Sequence, residues 1–263
     1  MVVEQRRSFA PRVSRETRGT AMSRRPPLAA RKRPRDPEEI GNEVSHIVEA
    51  ETTRLGLELT AAFFSRIRMY ATLLAVWGEK MSLTARPQDT ADLAFHVIDS
   101  LTPMALAGNG RLDGLDRCLQ AGREVLDLGS GAGFPGLVLA SASRAHFTLC
   151  EARRKRTSFL TVTAEELGLF DLTVKGDHVT PSSFASAFDL VTTRALGDVG
   201  NFHGVARAAL RRGGLAMLYA SPRQANDLAA RRVASFELAA SAPYELSRDR
   251  EIVQRSILLW RKL

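Results

Sequence analysis

Residues 125–136 read VLDLGSGAGFPG, and this stretch decides the fold. The apolar pair Val125 and Leu126 runs into Asp127, glycines follow at 129, 131 and 133, and Pro135 and Gly136 lead into a second apolar run, LVLA. The pattern predicts a buried strand, a glycine turn and a helix start. Glycines let the backbone approach a ligand closely, and the free N–H groups at a helix start favour polar or anionic ligand atoms. A nucleotide-like ligand is the expected occupant.

Two such ligands fit the spacing. Gly131, Gly133 and Gly136 satisfy the dinucleotide pattern G-x-G-x-x-G, which alone is a weak signal. Asp127 favours S-adenosylmethionine over NAD. A carboxylate two residues before the first glycine stands at the carboxyl end of the strand, where it can accept from a ligand ammonium, and only the former carries one. Glu151 ends the next apolar run, HFTLCE, about twenty residues on, where an acid holds ribose hydroxyls in either reading.

The chain has 263 residues, enough for one large α/β domain with an extra segment. No run of about eighteen apolar residues is present, so no membrane span is expected, and the start lacks the apolar core of a secretory signal. Only two cysteines occur, Cys118 and Cys150, which suits a reducing cytoplasm and small core positions better than a disulfide framework. The net charge of +8 is unevenly spread. Residues 1–35 carry eleven Lys or Arg against Glu4 and Glu16, leaving 26 basic and 27 acidic groups for the rest. The body is therefore nearly neutral, and the tail is the part attracted to phosphate.

That tail, residues 1–36, has too few large apolar groups to offset its ordering entropy and is expected to be disordered. Its roles stay open between sequence-independent RNA affinity, an Arg-rich presequence, a start placed ahead of Met22, and a plain solvated tail. Residues 37–108 read as a helical segment. TAAFFSRIRMYATLLAVW puts Phe63, Ile67, Tyr70, Leu74 and Trp77 on one stripe, with Gly78 expected to break the helix. DLAFHVIDSLTPMALA puts Leu93, Val97 and Leu101 on one face, and His96 and Asp99 three apart on a face that can meet cofactor, RNA or neither. Over 109–263 strand-like and helix-like runs alternate, with strands expected at 123–128, 146–151, 172–176, 188–193 and 215–220, and a helix at 223–234. FELAASAPYEL and IVQRSILLW then read as a closing antiparallel pair. A Rossmann-like, doubly wound, mostly parallel seven-stranded α/β sheet with an N-terminal helical extension is the architecture of class I methyltransferases.

Ligands of such sheets bind beyond the carboxyl ends of the strands. The third loop, GDHVT, offers Asp177, His178, Val179 and Thr180 to an adenine edge, and the fourth puts Arg194 beside the expected methyl group, as a catalytic residue or in an ion pair. The fourth loop lacks the N/D-P-P-Y/F pattern of exocyclic amine methylation, and neither cysteine falls where pyrimidine carbon methylation needs one. A ring nitrogen such as guanine N7 already exposes a lone pair and needs positioning instead of a general base. Arg153, Arg154, Lys155 and Arg156 open the helix expected at 153–168, against its dipole, and are candidates for RNA phosphate. His146, His178 and His203 show no metal-ligand spacing, so no metal is expected.

With these residues on the page, the chain resembles the bacterial small-subunit ribosomal RNA guanine-N7 methyltransferases of the glucose-inhibited division protein B (RsmG) type. The resemblance covers about residues 58–262. It rests on LTA at 83–85, HVIDSL at 96–101, DLGSGAGFPG at 127–136, EARRKR at 151–156 and FDLVTTRA at 188–195. It implies S-adenosylmethionine held by Gly129, Phe134, the Val179–Thr180 backbone and Arg194, transfer to a guanine N7 in the small-subunit (16S) RNA or its assembly intermediate, and RNA binding aided by the N-terminal helices and His96. A cytoplasmic monomer is expected. The chain departs from the family pattern at Ser82 for Asn, Phe95 for Arg, His178-Val179-Thr180 for Arg-Ala-Glu, and Ala220-Ser221 for Lys-Gly. Those departures leave two other readings open: a methyltransferase for another base, a protein or a small molecule, and an inactive cofactor-binding RNA-interaction protein.

Overall fold

The computed structural model describes residues 35–177, 179–194, 199–249 and 251–263. Most of the expected disordered tail, up to residue 34, lies outside the described residues, as do His178 and Ala195.

Three helices come first: α1 (Pro37–Arg54), α2 (Ala61–Met81) and α3 (Thr90–Gly108). Each starts on a side chain that accepts from its first turn, Asp36 from the Glu38 N–H, Thr60 from Phe63 and Asp89 from Asp92. Such a cap contributes about 1 kcal/mol. The α2 stripe is buried at Phe63, Ile67, Tyr70 and Leu74, while Trp77 sits at its rim, 38% exposed. Gly78 does not break the helix as expected. α2 runs on to Met81 and closes at Ser82, which takes the left-handed conformation at φ 51°. The glycine serves close approach: a Cβ there would stand 2.3 Å from the Pro87 Cβ.

The body follows as α4 (Leu115–Cys118), β1 (Glu124–Leu128), α5 (Gly136–Ala142), β2 (His146–Cys150), α6 (Arg154–Glu166), β3 (Leu172–Lys175), β4 (Phe188–Thr193), α7 (Val199–Ala209), β5 (Leu210–Ala220), α8 (Pro222–Ala229), β6 (Phe236–Arg248) and β7 (Glu251–Lys262). One seven-stranded sheet has the order β3-β2-β1-β4-β5-β7-β6. The first five strands are parallel, and β7 runs antiparallel to both β5 and β6. This is the class I methyltransferase fold. β5 starts earlier than expected, at Leu210, through an irregular register beside Phe188 and Leu190. The helix expected at 223–234 ends at Ala229, and the chain turns through Ser235 at φ 68° before β6.

Alternate residues of a strand face opposite sides, and β1 feeds two cores accordingly. Val125 joins Leu93, Leu137 and Phe159 on the side of α1–α3, α5 and α6; Leu126 joins Val191, Phe202, Leu228 and Trp260 on the side of α7 and α8. Strand order reverses between β1 and β4, where open α/β sheets bind ligands. Both cysteines are free and buried. Among the described residues no helix is long and apolar enough to cross a membrane.

Candidate active site at the reversal of strand order

The glycine turn is held from three sides. The Gly129 and Ser130 N–H groups donate to the Cys150 carbonyl at 2.9 and 3.0 Å, Gly133 N–H donates to Ser130 at 2.7 Å, and the Tyr70 hydroxyl donates from α2 to the Ala132 carbonyl at 2.7 Å. Gly129, Gly131 and Gly133 all have positive φ, 72°, 59° and 107°. The need is strictest at Gly133, where a Cβ would stand 2.4 Å from Leu137 and 2.9 Å from the Tyr70 hydroxyl. Tyr70, which sequence reasoning placed only in a packing stripe, thus fixes the turn.

Two carboxylates close on this turn. Asp127 is fully buried; its Oδ2 accepts from the Gly136 N–H at 3.2 Å, and its Oδ1 has no hydrogen-bond partner among the described residues. Burial pushes its carboxyl up to about 6, against the lowering effect of Ser130, Gly136 and Arg194. A buried carboxylate oxygen without a donor costs free energy that a cationic ligand group offsets. Glu151 accepts from the Gly131 N–H on one oxygen at 3.0 Å and from the Arg153 N–H on the other at 2.8 Å. Each oxygen keeps a second lone pair for a ligand hydroxyl. The donor and acceptor set therefore fits S-adenosylmethionine.

A cavity of about 100 Å³ opens beyond β1, β2 and β3, walled by Leu128, Gly129, Cys150, Asp177, Val179 and Phe202 among others. Its walls suit a flat heteroaromatic ring. Val179 is in that wall, and Thr180 is not among the residues that line it. The Thr180 N–H donates to the Ser183 hydroxyl at 3.0 Å and its own hydroxyl meets Ser182 and Ser183, capping the 3-10 turn Pro181–Ser183. Phe202 and Asn201, from α7, were not anticipated here. Burial raises the Cys150 thiol to about 12, so it stays protonated and is no nucleophile.

A second cavity, about 240 Å³, opens at the ends of β4 and β5 and is polar. Arg194 lies in its wall, its guanidinium 4.8 Å above the centre of the Phe134 ring, with Nη1 3.5 Å from Asp99 Oδ2 and 3.4 Å from the His96 carbonyl. Asp99 in turn accepts from the Tyr244 hydroxyl on Oδ1 at 2.6 Å. Both readings of Arg194 thus coexist: it is ion-paired, and it faces the site. His96 stands in the same wall, its ring 5.3 Å from that of Phe134. Burial first, then the charges of Arg194, Arg248, Arg255 and Arg86, lower its pKa to about 3, so the imidazole is neutral at physiological pH. Tyr219, Tyr244, Gln224 and Arg255 belong to this region and have no local motif that announces them.

The four cations at the start of α6 separate in the fold. Arg153, Arg154 and Lys155 are exposed. Arg156 turns inward, donating to the Ser82 carbonyl at 3.3 Å with Nη1 4.0 Å from Glu151, so it braces the glycine turn instead of standing with its neighbours.

Residues 64–243 match the family model described as rRNA small subunit methyltransferase G. Curated relatives named ribosomal RNA small subunit methyltransferase G are similar over most of their length. That of Laribacter hongkongensis is 33% identical over 168 residues, covering 64% of this chain and 75% of the relative. The Sorangium cellulosum protein is 33% identical over 179 residues, 66% and 71%, and the Ralstonia nicotianae protein 35% over 170 residues, 64% and 74%.

Proposed function

The chain belongs to the rRNA small subunit methyltransferase G family, and from that premise we propose that it methylates N7 of a guanine in small-subunit (16S) ribosomal RNA. The observation that carries the cofactor half of this reading is the buried Asp127 Oδ1 beside the glycine turn, which has no hydrogen-bond partner among the described residues; the acceptor half rests on the family match. When bound, S-adenosylmethionine supplies a methyl carbon on a sulfonium sulfur, and its transfer to a guanine N7 uses the ring lone pair and releases no proton.

The protein's own groups then have positioning tasks only. Asp127 accepts from the ammonium of the methionine part, Gly129, Gly131 and Gly133 let the backbone lie against it, and Glu151 accepts from the ribose hydroxyls. Val179 and Phe202 cover the adenine. Arg194, held by Asp99 and stacked on Phe134, lines the polar cavity and orients the acceptor ring against the methyl group. Arg153, Arg154 and Lys155 draw RNA phosphates to the rim. The protein works as a cytoplasmic monomer on the small-subunit RNA or its assembly intermediate.

Purified protein and methyl-labelled cofactor, given small subunits or deproteinised RNA from a strain lacking this activity, are expected to yield labelled N7-methylguanosine on nuclease digestion. No transfer to any RNA overturns the reading. Arg194→Ala is expected to slow single-turnover transfer roughly hundredfold, the scale of a misplaced reactant, a larger loss in free energy than the fall in urea stability from the broken ion pair with Asp99. Comparable losses in both make it a structural ion pair. A second reading, another base as acceptor, is favoured by Ala220 and Ser221, which depart from the family pattern and line the polar cavity. The same digest identifies that base.

A further inference from the structure

The polar cavity at the ends of β4 and β5 is walled by His96, Asp99, Arg194, Tyr219, Gln224 and Arg255, together with Ala220 and Ser221. Most of its polar groups are already committed. The Tyr219 hydroxyl donates to the Ser100 carbonyl at 2.9 Å, and the two Asp99 oxygens serve Tyr244 and Arg194. The Gln224 amide on α8 and the Arg255 guanidinium on β7 are different. Both residues are half-buried, and their side chains make no hydrogen bond or ion pair among the described residues. A partly desolvated guanidinium without an acceptor is costly unless a ligand provides one. The cavity also holds two arginines against a single carboxylate, Asp99, so it favours a ligand edge that presents acceptors.

We propose that Arg255 is a specificity-determining residue that donates to O6 of the acceptor guanine while N7 stays free for the methyl group. The inference rests on the proposed transfer to guanine N7. The base edge that carries N7 distinguishes the purines at the neighbouring position: guanine has the O6 acceptor there, and adenine has an amino donor. Arg255 is a donor only, so it pairs with guanine and opposes adenine. Gln224 can donate or accept and therefore supports either base. Arg255 also comes from β7, held across from Tyr244 in the β6–β7 ladder. The segment that reads the base is thus tied to the Tyr244–Asp99–Arg194 chain that orients it.

The test uses full-length protein and a synthetic RNA fragment of the target carrying guanine or 2-aminopurine at the methylated position. The second base keeps N7 and lacks O6. Wild type is expected to transfer to guanine roughly tenfold to hundredfold faster than to 2-aminopurine, the scale of one good base contact. Arg255→Ala is expected to be slow on both alike, with its calorimetric affinity for S-adenosylmethionine unchanged. Arg255→Lys, which keeps a donor, recovers part of the preference. The same preference in wild type and Arg255→Ala overturns the assignment, however slow the variant is. If Arg255→Ala loses the cofactor, wild type and Arg255→Lys carry the test, and a wild type indifferent to O6 overturns it. Wild type that methylates neither RNA, nor whole small subunits, overturns the proposed function beneath it.

Discussion

The two cavities flanking the glycine turn are built from opposite materials. The one beyond β1–β3, about 100 Å³, is lined by Leu128, Val179, Phe202 and glycine backbone; the one beyond β4 and β5, about 240 Å³, is lined by Asp99, Arg194, Arg255 and other polar groups. The first is suited to hold a ring by burial, which needs shape and little else. The second must fix cations in place without collapsing them onto one another, and its groups other than Gln224 and Arg255 are anchored by partners that reach across the molecule. Asp99 on α3 takes Arg194 from the loop after β4 and Tyr244 from β6. On the proposed assignment, one sheet divides cofactor binding from acceptor binding at the point where its strand order reverses.

The sharpest way to separate the two is to close the first and spare the second. Gly131→Asp puts a side chain on a backbone at φ 59°, its Cβ 3.7 Å from Arg156 Nη1, where the ligand must approach the turn. A side chain in that approach and a strained turn both work against the bound cofactor, so its affinity is expected to fall more than about hundredfold in calorimetry. RNA affinity in a filter-binding assay should hold. Loss of both means that the cavities are not independent.

Asp127 gives a smaller, pH-dependent effect on the same side. Its carboxyl is pushed up to about 6 by burial, so it is charged above that pH and neutral below it. Affinity for an ammonium-bearing cofactor is expected to fall by up to about tenfold for each pH unit below 6, and Asp127→Asn to bind weakly with a flat profile. For the apo protein the sign is opposite. The native carboxyl holds its proton more tightly than the unfolded one, so its contribution to stability is present below the model-compound value of 3.8 and is lost as pH rises to about 6. Apo Asp127→Asn is therefore expected to exceed wild type at pH 8, by up to about 3 kcal/mol in urea unfolding. A variant less stable than wild type there assigns Asp127 to the scaffold.

The same contrast explains what could be read from the chain. The glycine turn beside the first cavity is marked by contiguous signals: Asp127 near the end of β1, glycines at 129, 131 and 133, and Glu151 just past β2. Local pattern is sufficient where strand, turn and helix follow one another. The second cavity is assembled from residues such as Asp99 and Tyr244, which lie 145 positions apart, and Arg194 and His96, 98 apart. No periodicity marks Gln224 or Arg255, because each is one polar residue in an ordinary helix or strand. Local rules also misled at Gly78, where the need to admit Pro87 outweighed helix propensity, and at Arg156, which a charge run groups with exposed neighbours although it points at the glycine turn.

Tyr70→Phe sharpens the comparison by a smaller step. Its hydroxyl is the tie from α2 to the Ala132 carbonyl, and both are buried. Leaving that carbonyl unpaired costs about 1–3 kcal/mol, so the urea midpoint should drop. Cofactor affinity should weaken with it, because the turn loses one of its three supports, and transfer by cofactor-saturated enzyme should stay near wild type because the polar cavity is untouched. A large loss of transfer at saturation would mean that α2 also shapes the acceptor side.

The smallest effect tests the rim and spares both cavities. Arg154→Ala removes an exposed cation at the start of α6, and an exposed phosphate contact is sequence-independent. Binding should weaken about equally for target and unrelated RNA, with the slope of log affinity against log salt reduced by about 1. Cofactor affinity and the guanine preference should not change. A loss confined to the target RNA would instead bring Arg154 into base recognition, and the division between a charged rim that attracts and a polar cavity that discriminates would have to be redrawn around α6.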